Sequence, residues 1–80
     1  MNQIKIRYFA AFREATGIES EPVYTTAGSA AELFNECAGR FAALQSYSAA
    51  MVAINDEMAD WEAALKQDDE ILFFPPVAGG

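Results

Sequence analysis

The sequence predicts an α+β domain, in which one main helix packs across a mixed sheet of four to five strands. Three observations carry that prediction. A well-formed apolar stripe at helical spacing occurs once, from Ala30 to Leu44. Short alternating or continuous apolar runs stand on both sides of it. The length, 80 residues, suits one core shared by a helix and a sheet.

The first strand is expected from Gln3 to Phe9, with Ile4, Ile6 and Tyr8 on one face and Gln3, Lys5, Arg7 and Phe9 on the other. "AAFREATG" follows as a short helix closed by Gly17, the residue best able to take a left-handed C′ conformation. Glu19 to Thr25 reads as a second strand. Pro22 cannot donate to a ladder, so that strand belongs at an edge.

Ser29 and Glu32 have capping-box spacing and open the main helix. Its stripe runs through Ala30, Leu33, Phe34, Cys37, Ala38, Phe41 and Leu44, which makes Cys37 a buried core thiol. Gly39 inside the helix costs about 1 kcal/mol relative to Ala. After a loop at "QSYSA", Met51 to Ile54 suits a buried strand. Asn55, Asp56 and Glu57 supply turn chemistry, and Met58 to Trp61 returns as a short strand. "EAALKQDDE" reads as a helical turn or loop. Ile71 to Phe74 is a continuous apolar run, expected at the sheet centre with both faces covered. With the first and last strands as central neighbours this is the ubiquitin-like β-grasp. Other α+β sandwiches satisfy the same periodicity.

Composition narrows the function. The chain has no histidine and a single cysteine, so Ser-His or Cys-His catalysis, an internal disulfide and a multi-cysteine zinc site are excluded within it. Twelve acidic residues against five basic give a net charge of −7, which disfavours nucleic acid and anionic membrane and either suits basic protein partners or simply keeps a small protein soluble. The start "MNQIKIRYFA" carries charges within its alternation, unlike a signal peptide, and no apolar run approaches the ~20 residues of a membrane span. A cytoplasmic location is expected.

The sequence ends in "FFPPVAGG". A free end tolerates almost any polar residue, yet here eight successive residues carry no charged side chain. Pro75 and Pro76 lack an N–H, and Pro75 holds Phe74 extended, so the chain leaves the sheet stiffly. Val77, Ala78, Gly79 and Gly80 then reach at most ~13–14 Å. Gly79 and Gly80 have no Cβ, so they pass through a channel too narrow for other residues. The expected organisation is a body over residues 1–74 and an extended tail over 75–80, with the Gly80 carboxylate as the functional group.

That ending resembles the small subunit of molybdopterin synthase, a β-grasp sulfur carrier. "IKIRYFAAFREATG", the Ser29-led helix, "VAIND" and "LKQDDEILFF" follow in the family's order. Thiamine-pathway sulfur carriers and ubiquitin-like protein modifiers also end in Gly-Gly, but Phe-Phe-Pro-Pro before it favours the molybdopterin family. Two turns depart from the pattern. Asp68 stands where the family has glycine in Asp-Gly-Asp-Glu, and Asp56-Glu57 stands where its hairpin turn often has glycine. Asp is among the few residues that tolerate the left-handed region.

The resemblance implies a carrier, not an enzyme acting alone. A ubiquitin-activating-type enzyme using ATP and magnesium adenylates Gly80, and a sulfur donor protein converts the adenylate to a thiocarboxylate. The tail then enters the synthase large subunit, which supplies the catalytic lysines and arginines. Sulfur from two carriers turns cyclic pyranopterin monophosphate into the molybdopterin dithiolene, within a heterotetramer. This chain has no Walker A loop and binds no cofactor or metal in that scheme. Phe9 and Phe74, at the ends of the first and last strands, are expected either to form an exposed apolar patch beside the tail or to belong to a second small core under the short helix. Arg13 and Met58 join them as partner contacts by resemblance. An acidic binding module with an idle tail remains a third reading.

Overall fold

Alternation of Ile4, Ile6 and Tyr8 against polar neighbours builds β1 (Asn2–Tyr8), whose apolar face is fully buried. The computed structural model describes residues 1–46 and 50–75. The remaining elements are α1 (Ala11–Thr16), β2 (Ser20–Thr25), α2 (Ala30–Arg40), a 3₁₀ turn (Ala42–Ser46), β3 (Met51–Ile54), β4 (Glu57–Ala59) and β5 (Glu70–Phe74). Among the described residues no helix is long and apolar enough to cross a membrane.

The five strands form one sheet in the order β2-β1-β5-β3-β4. β1 and β5 pair in parallel at its centre, and the other three pairings are antiparallel. With α2 packed on one face, this is the ubiquitin-like β-grasp. β2 is an edge strand, as Pro22 requires. The core joins Ile4, Ile6 and Tyr8 of β1, Leu33 and Cys37 of α2, and Ile71 and Phe73 of β5, with Phe12 beside them. Phe73 is the hub of its aromatic cluster, 5.0 Å from the Phe34 ring edge-on and 6.0 Å from the stacked Trp61 ring.

The caps form as their residues dictate. Ser29 Oγ accepts from the Glu32 N–H at 3.3 Å, while Glu32 Oε1 reaches back to the Gly28 N–H at 3.3 Å. Gly17 ends α1 at φ 74, its N–H donating to the Arg13 carbonyl at 2.8 Å. Asp68 takes φ 70, the left-handed conformation expected at that position, and its N–H donates to the Gln3 carbonyl at 2.7 Å.

Four expectations are corrected. β1 stops at Tyr8, so Phe9 lies just beyond the strand. The β3–β4 hairpin turns on Asn55 and Asp56 alone, at φ 52 and 69, so β4 starts at Glu57 and ends before Asp60 and Trp61. Both residues tolerate positive φ, which allows a two-residue turn without glycine. α2 ends at Arg40, and Leu44 reaches the core from the 3₁₀ turn instead. Finally, β5 is central but covered on one face only: Ile71 and Phe73 are buried, whereas Leu72 and Phe74 are half-buried. A single main helix cannot cover both faces of a five-stranded sheet. The segment between β4 and β5 forms turns and a bridge from Ala64 to Ser29, with no helix.

Two polar clusters lock the sheet to its surroundings. Asp69, buried, accepts from Asn55 Nδ2 at 2.9 Å and from the Lys66 N–H at 2.8 Å, tying the hairpin turn to the start of β5. At the opposite edge Glu21 accepts from Arg40 through both oxygens, at 3.1 and 2.9 Å, and from the Tyr8 hydroxyl at 2.8 Å. Tyr8 Oη also sits 3.4 Å from Cys37 Sγ, and burial pushes the Cys37 thiol up, away from the reactive thiolate.

Burial alone would raise the Glu21 carboxyl, but the hydrogen bonds from Arg40 and Tyr8, with the guanidinium charge, hold it below the usual carboxylate range. A depressed folded pKa contributes stability above the unfolded value of about 4.3 and loses it as pH falls through the folded value. Glu21→Gln is therefore expected to cost about 1 kcal/mol at neutral pH. Urea unfolding should show the difference from wild type shrinking toward about pH 3.

Candidate functional site

Parallel pairing brings the C-terminal ends of β1 and β5 to the same end of the sheet. Phe9 follows the first and Phe74 closes the second, so the residues expected to flank the tail meet at its root. The Phe9 N–H donates to the Phe73 carbonyl at 3.2 Å. Phe9 is 60% exposed, which places it outside any core under α1. Phe74 and Pro75 are half-buried. Pro76, Val77, Ala78, Gly79 and Gly80 lie outside the described residues.

The face of the sheet opposite α2 is open, and register shows what it presents. Leu72 pairs with Arg7 on one side and Ala53 on the other, Ala53 pairs with Met58, and Phe74 pairs with Met51. Paired residues point to the same face. Met58 is 59% exposed and Met51 38%. Ala53 is buried yet separate from the core cluster, because it sits on this face between its cross-strand neighbours. The result is an apolar strip of Met58, Ala53, Leu72, Met51 and Phe74 that runs to Phe9 and the tail root. Met58, Met51 and Phe9 are its exposed members, while Leu72 and Phe74 are half-buried.

Charged groups border the strip on its β1 side. Glu70 lies 3.2 Å from Arg7 Nη1 and 4.0 Å from Lys5 Nζ, with both cations well exposed. Arg13, on α1, is exposed and has no acidic partner within 4 Å among the described residues. α1 itself packs against β1 and β5, so Arg13 is carried near the same end of the sheet as Phe9. Lys66 is an exposed charge, and Trp61 packs on Phe34 and Phe73.

Sequence reasoning names Phe9 and Phe74 and the resemblance adds Met58, but neither names Met51, Ala53 or Leu72. Their apolar runs were attributed to burial on both faces. The signal that identifies them is the presence of one long helix for a sheet of this width.

A five-stranded mixed sheet with one main helix across one face defines the class as ubiquitin-like β-grasp proteins. The sequence profile of the ThiS family matches residues 6–80, and the chain belongs to that family. It is 34% identical over 80 residues to the molybdopterin synthase sulfur carrier subunit of Haemophilus influenzae, spanning 96% of this chain and 99% of that protein. Among solved structures it is similar to a putative molybdopterin converting factor subunit 1 from Pyrococcus furiosus, at 26% identity and TM-score 0.85, covering 96% of this chain and 100% of that one. It is also similar to a chain in the complex of subunits 1 and 2 of the molybdopterin-converting factor from Helicobacter pylori. There the identity is 25% and the TM-score 0.69, over 98% of this chain and 99% of that one.

The different burial of two phenylalanines gives a direct check on this geometry. Phe9→Ser should change the unfolding free energy by no more than about 0.5 kcal/mol, as expected for an exposed site. Phe73→Ala should cost about 3–5 kcal/mol. Chemical denaturation of both variants measures the contrast.

Proposed function

We propose that this chain is the sulfur carrier subunit of a molybdopterin synthase, with residues 1–74 as a docking body and residues 75–80 as the delivery tail. The observation that carries the reading is the convergence of the open apolar strip and the end of the central strand at the root of a tail that finishes in Gly79-Gly80. Family membership and the names of its relatives support it.

A carboxylate is a poor electrophile, so Gly80 requires activation. In the proposed cycle a ubiquitin-activating-type enzyme uses ATP and magnesium. A Gly80 carboxylate oxygen attacks the α-phosphorus and pyrophosphate leaves. Hydrosulfide released by a sulfur donor protein then attacks the carbonyl carbon of the adenylate. The C–O bond to AMP breaks, AMP departs, and loss of the sulfur-bound proton leaves Gly80 as a thiocarboxylate. This chain supplies no catalytic side chain to either step; it supplies the acyl group and its placement, a proximity function.

The loaded carrier docks on the synthase large subunit through Phe9, Met51, Met58, Leu72 and Phe74, with Arg13 at the margin. The Helicobacter pylori complex of subunits 1 and 2 supports such a partner. Pro75 and Pro76 hold the tail's base, and Val77, Ala78, Gly79 and Gly80 thread toward cyclic pyranopterin monophosphate. Two carriers in turn deliver the two dithiolene sulfurs, in a heterotetramer of two large and two small subunits. The cycle is cytoplasmic and needs no cofactor bound to this chain, nor nucleic acid or membrane.

The tail's length and slimness test the proposal. One alanine added after Gly80 moves the terminus by ~3.5 Å, and Gly79→Val puts a branched side chain into the inferred channel. Both variants should unfold at the wild-type temperature and still bind the large subunit in a pull-down. Both should fail to support molybdopterin synthesis in a reconstituted assay, the extended chain most completely. Full activity of an extended chain that has not been trimmed back to Gly80 would refute a reacting terminus.

A further inference from the structure

Ala10 has φ 52 and ψ −121, the geometry of the first central residue of a type II′ turn, a position usually held by glycine. The turn runs from Phe9 to Phe12 and is closed by the Phe12 N–H donating to the Phe9 carbonyl at 3.0 Å. An L-residue held there is strained, and it persists only where its surroundings over-determine it.

The parallel ladder shows what the strain accomplishes. Along such a ladder a residue donates its N–H to one partner residue and accepts with its C=O from the residue two further on. Lys5 donates to the Asp69 carbonyl and Phe9 donates to the Phe73 carbonyl, which fixes the phase. The next rung would run from the N–H of residue 75 to the Phe9 carbonyl. Residue 75 is proline and has no N–H. The carbonyl that would have received it is engaged instead by Phe12 across the Ala10 turn.

We infer that Ala10 is a positioning residue for the tail: its turn withdraws the acceptor of the next rung while Pro75 withdraws the donor. The β1·β5 ladder thus ends at Phe9 and Phe73 from both sides, and Pro75 forms no further rung with β1 whatever sequence follows, while Phe74 keeps its pairing with Met51 of β3. The functional importance of that stop rests on the tail-delivery reading above; the ladder stop itself does not.

Pro75→Ala restores a donor and leaves the turn and the core untouched. With the Phe9 carbonyl engaged, the position-75 amide should exchange with deuterium within about ten-fold of the unprotected rate. Replacing the Phe12 amide by an ester in the same chain, through chemical ligation, removes the competing donor without altering a side chain. The position-75 amide should then slow by at least about ten-fold further, with the Ile6 and Ile71 amides still protected as evidence of an intact sheet. Protection in the Pro75→Ala chain alone overturns the inference, as does an unprotected position-75 amide in the folded ester chain. In a sulfur-transfer assay, the ester chain carrying Pro75→Ala should be about ten-fold slower than the Pro75→Ala chain itself, at unchanged affinity for the large subunit. The expected exchange pattern with no loss of rate would uphold the ladder stop and count against tail delivery.

Discussion

The parallel pairing of β1 with β5 is the constraint on which the rest of the structure depends. It joins residues more than sixty positions apart in sequence, Lys5 with Glu70 through Tyr8 with Phe73, and places them at the centre of the sheet. Because the strands run the same way, both finish at the same end. That is why Phe9, from the start of the chain, stands beside Phe74 and Pro75. The root of the tail therefore begins where the most central pairing of the domain ends, next to the packed Ile6, Ile71 and Phe73.

The second consequence follows from supply. α2 covers one face, and Phe34, Leu33 and Cys37 spend its apolar stripe on that side. The other face keeps an apolar strip that a free-standing protein would be expected to bury or charge. Its sheet edges are guarded, by Pro22 in β2 and by the shortness of β4, so association through strand addition is disfavoured. A net charge of −7 opposes random self-association as well. The surface left available is the strip itself, bordered by Lys5, Arg7 and Glu70 and ending at the tail.

Much of this was legible in the sequence because local rules and tertiary packing agreed. The Ser29 cap, the Gly17 stop, the edge position of Pro22 and the left-handed Asp68 each express a preference of the residue itself. What was not legible depended on partners far away in the chain. Leu72 and Ala53 lie within apolar runs that look the same whether one face of the sheet is covered or two. The end of β4 depends on Trp61 turning onto Phe34 and Phe73 instead of extending the hairpin. Ala10 gave no local signal at all, since alanine is a poor choice for positive φ and only its place between Phe9 and α1 demands it. For the tail the sequence alone speaks, through the missing N–H groups of Pro75 and Pro76 and the missing Cβ atoms of Gly79 and Gly80.

The central claim is that the C-terminal glycine is the reacting group and the fold is its carrier. Intact-mass analysis tests it most directly. The chain would be incubated with its activating enzyme, ATP, magnesium and a sulfur donor, under conditions that fully load a family relative. One oxygen should be replaced by sulfur, with fragmentation locating the change at Gly80. An unchanged carboxylate under those conditions would contradict the account.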